Sequence, residues 1–306
     1  MDLTYTGWVI GAAVVACWGA CIGSFLNVCI YRVPLNQSIV SPRSHCMTCG
    51  APIAWYHNIP VVSYFIVRGR CAACRSPFSI RYAVVEALTA LLFVAVWFCY
   101  VPWKADPFSG LEIVMTNGKW CFLEIAPPLG MQAVSSLAVV PVYWVVLCGL
   151  IIATFIDLDH LVIPDFVTVG GMVMGVAVSA LLPELHGQEV WWRGLMSSAL
   201  GVAIGFGVLW AVAFTGKKVL KKEAMGMGDV FLMGAVGAFF GWVAAAFVIV
   251  AGSLFGTVGG LALMATKRAR FGVGIPFGPY LALATAVWMF WGWSIVWGYL
   301  RFLAGT

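Results

Sequence analysis

Charged side chains are scarce in this sequence. Asp, Glu, Lys and Arg make up only 9% of its 306 residues, whereas hydrophobic residues make up 62%. Soluble domains carry about a quarter charged residues, because their surfaces face water. The shortage of charge therefore excludes an ordinary soluble protein. Uncharged stretches such as residues 134–156 exceed the ~18 residues that indicate a membrane span, so the sequence predicts a polytopic membrane protein.

The positive charges are unevenly distributed along the chain. Thirteen of the 17 Lys and Arg residues lie within residues 32–81, 217–222 and 267–270. Basic loops of membrane proteins remain in the cytoplasm, so these three segments are predicted to lie inside and the N-terminus outside. The net charge of +5 then reflects membrane orientation. The expected contact is the lipid bilayer, and no nucleic-acid partner is predicted.

Apolar runs bounded by charges and turn residues predict an all-α fold with eight transmembrane helices. The predicted spans are residues 7–30, 83–101, 134–156, 164–182, 195–215, 229–241, 242–265 and 279–300. They divide the chain into a first transmembrane helix (1–30), a cytoplasmic four-cysteine module (31–82) and a helical membrane core (83–306). An outer loop is predicted over residues 102–133. No internal repeat is evident.

Four of the ten cysteines form two pairs with metal-ligand spacing. Cys46 and Cys49 make one Cys-x-x-Cys pair, Cys71 and Cys74 make the other, and 21 residues separate the pairs. Two such pairs present four thiolates that converge tetrahedrally on Zn²⁺. Disulfides are disfavoured in the cytoplasm, where this segment is predicted to lie. Four sulfur ligands leave no position for water, so we expect a structural Zn²⁺.

Acidic residues are rarer still, and four of the twelve cluster at predicted helix ends. Asp157, Asp159 and Asp165 lie where the third predicted span meets the fourth, and Asp229 begins the sixth. All four belong to the same predicted side of the membrane, so they can meet. Two carboxyl groups that share a site hold one proton between them. One can then activate water while the other polarises a peptide carbonyl.

Other interpretations fit some of these residues. Asp159 and Asp165 are interpreted as residues that cap or end helices. Glu86, just inside the second span, is interpreted either as a counter-charge or as a substrate contact. His45 and His57 lie near the cysteines as alternative metal ligands, but they are interpreted as surface or packing histidines. A cation-coupled transporter would also place acids in its spans, although at the midplane, and a zinc-bearing membrane scaffold would need the cysteines without the aspartates.

Several further segments complete a recognisable order of motifs. Besides the two cysteine pairs they are Gly23-Ser-Phe-Leu-Asn-Val-Cys-Ile-Tyr-Arg-Val-Pro34, Trp55-Tyr-His-Asn-Ile-Pro60, Arg68-Gly-Arg-Cys71, Ser79-Ile-Arg-Tyr82 with Glu86, the run from Asp157 to Asp165, Gly226-Met-Gly-Asp229 and Ile275-Pro-Phe-Gly-Pro279. In this order the chain resembles the type IV prepilin peptidases, a family of bacterial membrane aspartic proteases.

The resemblance implies roles for the residues singled out above. Asp157 and Asp229 would be the catalytic pair, within a peptidase core of residues 83–306, and the four paired cysteines would be the Zn²⁺ ligands. The implied substrates are precursors of type IV pilins and type II secretion pseudopilins, cut after a basic leader at the cytoplasmic face of the bacterial inner membrane. Many members also methylate the new N-terminus with S-adenosylmethionine, and Glu86 is assigned to that step on the resemblance.

Three positions depart from the family pattern. Phe231 replaces a lysine two residues after Asp229, Ala83 replaces a proline, and Ala90 replaces a glycine tied to methylation. The peptidase prediction does not depend on these positions, whereas methylation is left open by the sequence.

Overall fold

The computed structural model describes residues 5–101, 137–221, 225–265 and 276–304. The predicted outer loop 102–133 and the basic segment 267–270 lie outside these residues. The described residues form helices, with two isolated β-bridges and no strand among them. The α-helices are α1 (Tyr5–Arg32), α2 (Val62–Ile66), α3 (Arg81–Tyr100), α4 (Val139–His160), α5 (Asp165–Leu181), α6 (Trp191–Leu220), α7 (Met227–Ala265) and α8 (Gly278–Ala304). Two short 3₁₀ helices cover Trp55–Asn58 and Pro183–His186.

The predicted all-helical membrane fold is confirmed, but the predicted fourth, sixth and seventh spans differ from the observed helices. Six described helices are long and apolar enough to cross a membrane, namely α1, α3, α4, α6, α7 and α8. The predicted fourth span is α5, which has only 17 residues. The predicted sixth and seventh spans are the two parts of α7, which is interrupted at Gly241 by a non-helical backbone (φ 80°, ψ −179°).

The residues cluster into two compact units, Met1–Ile113 and Val114–Thr306. In the N-terminal unit α1 packs closely against α3, because small residues allow the backbones to approach. A β-carbon on Gly23 would lie 2.7 Å from the Glu86 Cα, and one on Gly19 would lie 2.9 Å from the Ala90 Cα. The predicted second span therefore packs on the first.

The C-terminal unit is built around the first part of α7. Its residues Val230, Met233 and Ala238 are fully buried among the surrounding helices. A β-carbon on Gly201 of α6 would overlap the Gly237 carbonyl, so these helices are in backbone contact.

Hydroxyl groups compensate for the interruption of α7 at Gly241. A break frees carbonyls in the preceding turn, and buried carbonyls need new donors. The Ala238 carbonyl accepts hydrogen bonds from Ser179 Oγ (3.0 Å) and Ser198 Oγ (2.8 Å), both fully buried. His186 Nε2 lies 2.8 Å from Ser179 Oγ. The first part of α7 is thus fixed at its end, with Asp229 in its opening turn.

Candidate active site and metal centre

Asp157 lies in the last turn of α4, where its side chain is 5% exposed. The helix ends at Leu161, which adopts a left-handed conformation (φ 54°, ψ 35°) and donates its N–H to the Asp157 carbonyl at 2.9 Å. Asp157 Oδ2 accepts a hydrogen bond of 2.9 Å from the backbone N–H of Gly278, at the start of α8. A buried carboxyl group therefore has one oxygen satisfied by a helix N-terminus, where negative charge is stabilised.

Asp229 lies in the first turn of α7, where its side chain is 8% exposed. The two glycines before it have different roles. Gly226 supplies a backbone hydrogen bond to the Asp229 carboxyl group. Gly228 lies against Ile163, since a β-carbon at this position would be 3.1 Å from Ile163 Cβ.

The structure brings the two aspartates into one region of the C-terminal unit. The Asp229 carboxyl group interacts electrostatically with that of Asp157. Ile163, in the short connection between α4 and α5, joins their surroundings. It contacts Gly228, and its Cδ1 lies 3.1 Å from where a β-carbon on Gly278 would be. Three segments far apart in sequence thus meet around one buried pair of carboxyl groups.

The other two acids of the α4–α5 junction are placed differently. Asp159 and Asp165 are both exposed. Asp165 is the first residue of α5, but no side-chain hydrogen bond caps that helix, and its N-cap residue is Pro164. The junction therefore separates one buried acid, Asp157, from two exposed ones.

The four predicted cysteine ligands converge in the N-terminal unit. Their sulfur atoms all lie within 4.8 Å of one another, and Cys46 Sγ is 3.8 Å from Cys74 Sγ. Tetrahedral Zn²⁺ with Zn–S bonds of about 2.3 Å requires sulfur atoms about 3.8 Å apart. The cluster can hold a metal ion with little rearrangement.

The two cysteine pairs form a structural repeat that the sequence analysis missed. The Cys46 N–H donates to the Ala51 carbonyl (2.9 Å), and the Cys71 N–H donates to the Ser76 carbonyl (2.8 Å). Each pair is followed by a left-handed residue, Gly50 (φ 70°) or Arg75 (φ 61°). The available signal was the pattern Cys-x-x-Cys-x-x-Pro, which occurs at residues 46–52 and again at 71–77.

The thiols of this cluster share their protons unevenly. The pKa of Cys46 is lowered to about 6, first by a hydrogen bond from the Cys49 backbone and then by one from Thr48. The Ser76 backbone lowers the pKa of Cys74, but burial and the three neighbouring thiols outweigh it and raise that pKa to about 11. Four thiolates this close together would repel one another, so the cluster does not lose all its protons by itself. A divalent cation displaces the protons and offsets the repulsion.

Glu86 belongs to the N-terminal unit, whereas Asp157 and Asp229 belong to the C-terminal unit. Its Oε2 accepts a hydrogen bond of 2.6 Å from the Val61 backbone N–H, and its carboxyl group also accepts one from the Ser24 hydroxyl. The position where the family has lysine is Phe231, whose ring centroid lies 5.4 Å from that of Phe206. On α7 this position therefore makes an aromatic contact with α6.

Gly278 and Ile163 are contributors that the sequence analysis did not assign. Residues 275–279 were noted only for their family-like pattern, and nothing in that pattern indicates a donor to Asp157. A β-carbon on Gly278 would lie 2.8 Å from Asp157 Oδ2, so glycine is required for this close contact.

Two family models and several relatives match this chain. The family described as "Bacterial Peptidase A24 N-terminal domain" matches residues 17–100, and the one described as "Type IV leader peptidase family" matches residues 144–261. A Myxococcus xanthus protein named prepilin leader peptidase/N-methyltransferase is 39% identical over 252 residues, which cover 82% of this chain and 63% of that relative.

Other relatives are covered almost completely. Proteins of the same name from Aeromonas hydrophila and Pseudomonas aeruginosa are 34% and 30% identical, over 91% and 93% of this chain and 90% and 91% of their own lengths. No solved structure matches the chain.

The fold and these matches together define a polytopic membrane protease. The chain belongs to the type IV leader peptidase family.

Proposed function

We propose that the chain is an intramembrane aspartic endopeptidase that removes leader peptides from prepilin and pseudopilin precursors. Asp157 and Asp229 are its catalytic pair. The observation that carries the proposal is that two buried carboxyl groups lie in the same surroundings, where Ile163 contacts both Gly228 and Gly278 and the Gly278 N–H holds Asp157. The substrate class rests on the relatives, which are named prepilin leader peptidases.

The proposed chemistry is hydrolysis without a covalent intermediate. Two carboxyl groups buried together hold one proton, because both cannot ionise in a poorly solvated site. The ionised group takes a proton from water, whose oxygen attacks the peptide carbonyl carbon, while the protonated group transfers its proton to the carbonyl oxygen. When the C–N bond breaks, the aspartate that took the water proton gives it to the leaving nitrogen, and the other aspartate takes a proton from a hydroxyl group of the intermediate, so the pair again holds one proton. Either aspartate can fill either role.

The position of the acids suits a substrate that begins with a polar leader and continues as an apolar helix. Asp157 ends α4 and Asp229 begins α7, so both lie at helix ends. In the substrate, a peptide bond inside the apolar helix is protected by the helix hydrogen bonds. A bond near the start of that helix needs less unwinding before it is cut. A basic leader is attracted to an acidic site, and the apolar helix that follows can pack between membrane helices.

The active site is proposed to face the cytoplasm of the bacterial inner membrane, with α1 starting outside. The support is the concentration of Lys and Arg in three segments that alternate with apolar spans. A Lys221→Cys variant, in a background that keeps only the four cluster cysteines, should react with a membrane-impermeant maleimide beyond the labelling of its parent only after the cells are opened. Labelling of intact spheroplasts would reverse the orientation.

The second proposed activity is N-methylation of the newly exposed N-terminus with S-adenosylmethionine. The support is the printed name of the relatives, which includes N-methyltransferase. When bound, the donor supplies a methyl group. The amine nitrogen of the cut peptide would accept that group and release a proton to water. The proposed role of the cysteine cluster is structural, with Zn²⁺ joining the two halves of the repeat.

Mass measurement of the products of a synthetic precursor tests both activities. The peptide carries a basic leader, a glycine at the cut and an apolar helix, and it is incubated with purified protein in detergent. Asp157→Asn and Asp229→Asn should lower cleavage by about 10³-fold or more, as expected when a catalytic group is removed. Asp159→Asn and Asp165→Asn, exposed acids of the same junction, are matched controls that should cleave normally.

The assay also separates the peptidase from its rivals. A transporter or a metal-bearing scaffold would leave the precursor at its original mass with wild-type protein as well, and the relatives do not favour either function. Normal cleavage by either catalytic variant would remove the aspartate pair from the mechanism.

A further inference from the structure

The part of the chain between α1 and α3 is basic and contains no acid. Residues 3–85 include neither Asp nor Glu, whereas residues 32–81 include six arginines. Binding of Zn²⁺ by four thiolates adds negative charge, but less than the arginines supply. Four of these arginines, Arg43, Arg68, Arg70 and Arg75, are exposed. This region therefore complements an anionic surface, such as a layer of phospholipid headgroups.

The short helix α2 presents an apolar face to its exterior. Val62, Phe65 and Ile66 are spaced as i, i+3 and i+4, which places them on one side of the helix. All three are exposed, and Phe65 keeps 66% of its surface. The opposite side is packed, since Ser63 is buried and its hydroxyl donates to the Tyr56 carbonyl at 3.3 Å. A surface helix in water has the reverse arrangement, with its apolar side packed inward.

The exposed apolar character continues on the N-terminal side of α2. Trp55, in the 3₁₀ helix that Ser63 contacts through Tyr56, is 79% exposed, and Ile59 is exposed as well. Residues 44–67 contain no Asp, Glu, Lys or Arg, and the exposed Arg68 follows them directly. Tryptophan and arginine beside an apolar stretch are typical of elements that lie in a membrane interface. We call residues 55–66 the apolar segment.

Glu86 fixes the depth of the apolar segment relative to the two membrane helices of its unit. Its Oε2 accepts the Val61 N–H at 2.6 Å, and its carboxyl group also accepts the Ser24 hydroxyl. Glu86 lies five residues after Arg81, where α3 begins, which is about 7.5 Å along the helix. Ser24 lies eight residues before Arg32, where α1 ends, which is about 12 Å. The apolar segment is therefore held beside these helices and not beyond their ends.

The length of α3 places that contact at the level of the lipid. Its 20 residues extend over about 30 Å, which is the thickness of the hydrocarbon core. A contact at the second turn of α3 thus lies close to the boundary between acyl chains and headgroups. Exposed apolar side chains at this depth face lipid rather than water.

We propose that the apolar segment lies in the membrane interface and that Arg68 binds the phosphate of an anionic phospholipid. Val62, Phe65 and Ile66 contact acyl chains next to the headgroups. The leaflet is the one at which α1 ends and α3 begins, the cytoplasmic leaflet in the proposed orientation. The lipid thereby holds the cysteine module against the membrane, a role that the peptidase chemistry does not include.

The charge of the region favours lipid over a second copy of the chain as the occupant. A two-fold contact through the apolar segment would bring two sets of exposed arginines together, and like charges placed opposite each other cost several kcal/mol. Anionic headgroups instead provide the opposite charge at the depth where the apolar side chains end.

Photo-crosslinking in vesicles tests the depth of the segment. Phe65→p-benzoylphenylalanine is introduced into the full-length, zinc-loaded protein, which is reconstituted in equal amounts of phosphatidylcholine and phosphatidylglycerol. After illumination, the masses of the peptides should show lipid adducts at this position. The same probe in Val40→p-benzoylphenylalanine is the matched control, because Val40 is 84% exposed but lies between residues whose carbonyls bind the Arg32 side chain at the end of α1. It should give about tenfold fewer adducts, since that end lies outside the hydrocarbon core.

The composition of the adducts tests the role of Arg68. Arg68→Gln, combined with the probe at position 65, should lower the ratio of phosphatidylglycerol to phosphatidylcholine adducts about fivefold, the usual effect of one basic residue at an anionic surface. Arg68→Lys keeps the charge and should keep the ratio. Arg68 has a left-handed backbone (φ 53°), and both variants carry a side chain there, so they differ in charge and not in backbone strain.

Several results would overturn the proposal. They are the absence of lipid adducts at position 65, equal adducts at positions 65 and 40, and crosslinks from position 65 to a second copy or to the C-terminal unit in place of lipid. An unchanged lipid ratio in Arg68→Gln would overturn the phosphate contact. Zinc content, measured on every variant, reports whether the N-terminal unit is folded. The adducts form without any precursor peptide, so failure of the proposed peptidase is recognised separately in the cleavage assay.

Discussion

The backbone N–H of Gly278 donates a hydrogen bond of 2.9 Å to Asp157 Oδ2, across 121 positions of the sequence. The start of one membrane helix thereby fixes the carboxyl group at the end of another. Because Asp157 is almost fully buried, this contact decides which of its oxygens is available to water or to Asp229. The geometry of the proposed catalytic pair thus depends on a residue without a side chain.

Gly278→Ala should therefore damage catalysis while the protein still inserts and folds. The new β-carbon would lie 2.8 Å from Asp157 Oδ2 and 3.1 Å from Ile163 Cδ1, so the carboxyl group must move. Displacements of about 1 Å in a catalytic group can cost about 10²-fold, and we expect a loss of that order in kcat for precursor cleavage. Gly298→Ala is the matched control on the same helix, since a β-carbon there meets no atom within 4 Å. Equal activity of the two variants would contradict the role of Gly278.

The cysteine cluster should bind one Zn²⁺ per chain. Replacement of any one of Cys46, Cys49, Cys71 and Cys74 by Ser should reduce the zinc content, measured by mass spectrometry of the purified protein, to near zero. Cys17→Ser, an exposed cysteine of α1 outside the cluster, should leave it unchanged. Because metal binding to such a site is coupled to folding, a chelator should lower the thermal stability of the N-terminal unit. Full zinc retention in a single-cysteine variant would exclude that residue as a ligand.

His186 should make the C-terminal unit sensitive to acid. Burial lowers the pKa of its imidazole to about 4, below the ordinary value of about 6.5. A group whose pKa is depressed by folding stabilises the protein fully above the unfolded pKa. That contribution is lost as the pH falls from about 6.5 through 4.

The unfolding temperature of His186→Gln should therefore fall less between pH 7.5 and pH 4.5 than that of the wild type. His160→Gln, at an exposed histidine, is the control and should follow the wild-type curve. Identical acid sensitivity in His186→Gln and wild type would show that His186 does not account for the effect.

Features encoded in short stretches of sequence were predictable. Long apolar runs and scarce charge indicated the membrane helices, and the spacing of Cys46, Cys49, Cys71 and Cys74 indicated a cluster whose sulfurs do lie within 4.8 Å of one another. Asp157 and Asp229 drew attention because ionisable residues at membrane spans are costly. These inferences need only local patterns, so they do not depend on how distant segments pack.

Features created by tertiary contact were not predictable from the same patterns. Three such contacts join residues at least 25 positions apart: the Gly278–Asp157 hydrogen bond, the Val61–Glu86 hydrogen bond and the packing of Ile163 against Gly228. The boundary between the predicted sixth and seventh spans was visible as Gly241, but its consequence was not. Only the structure shows the Ala238 carbonyl meeting two serine hydroxyls beside that break.

The central claim is that Asp157 and Asp229 act as one unit, and a double-variant comparison tests it most directly. The value of kcat/KM for precursor cleavage is measured for Asp157→Asn, Asp229→Asn and the variant with both substitutions. Residues that share one catalytic function are strongly non-additive, so each single variant should be as inactive as the double. If the two losses instead multiply, or if either single variant keeps a tenth of the wild-type value, the two carboxyl groups do not form a catalytic pair.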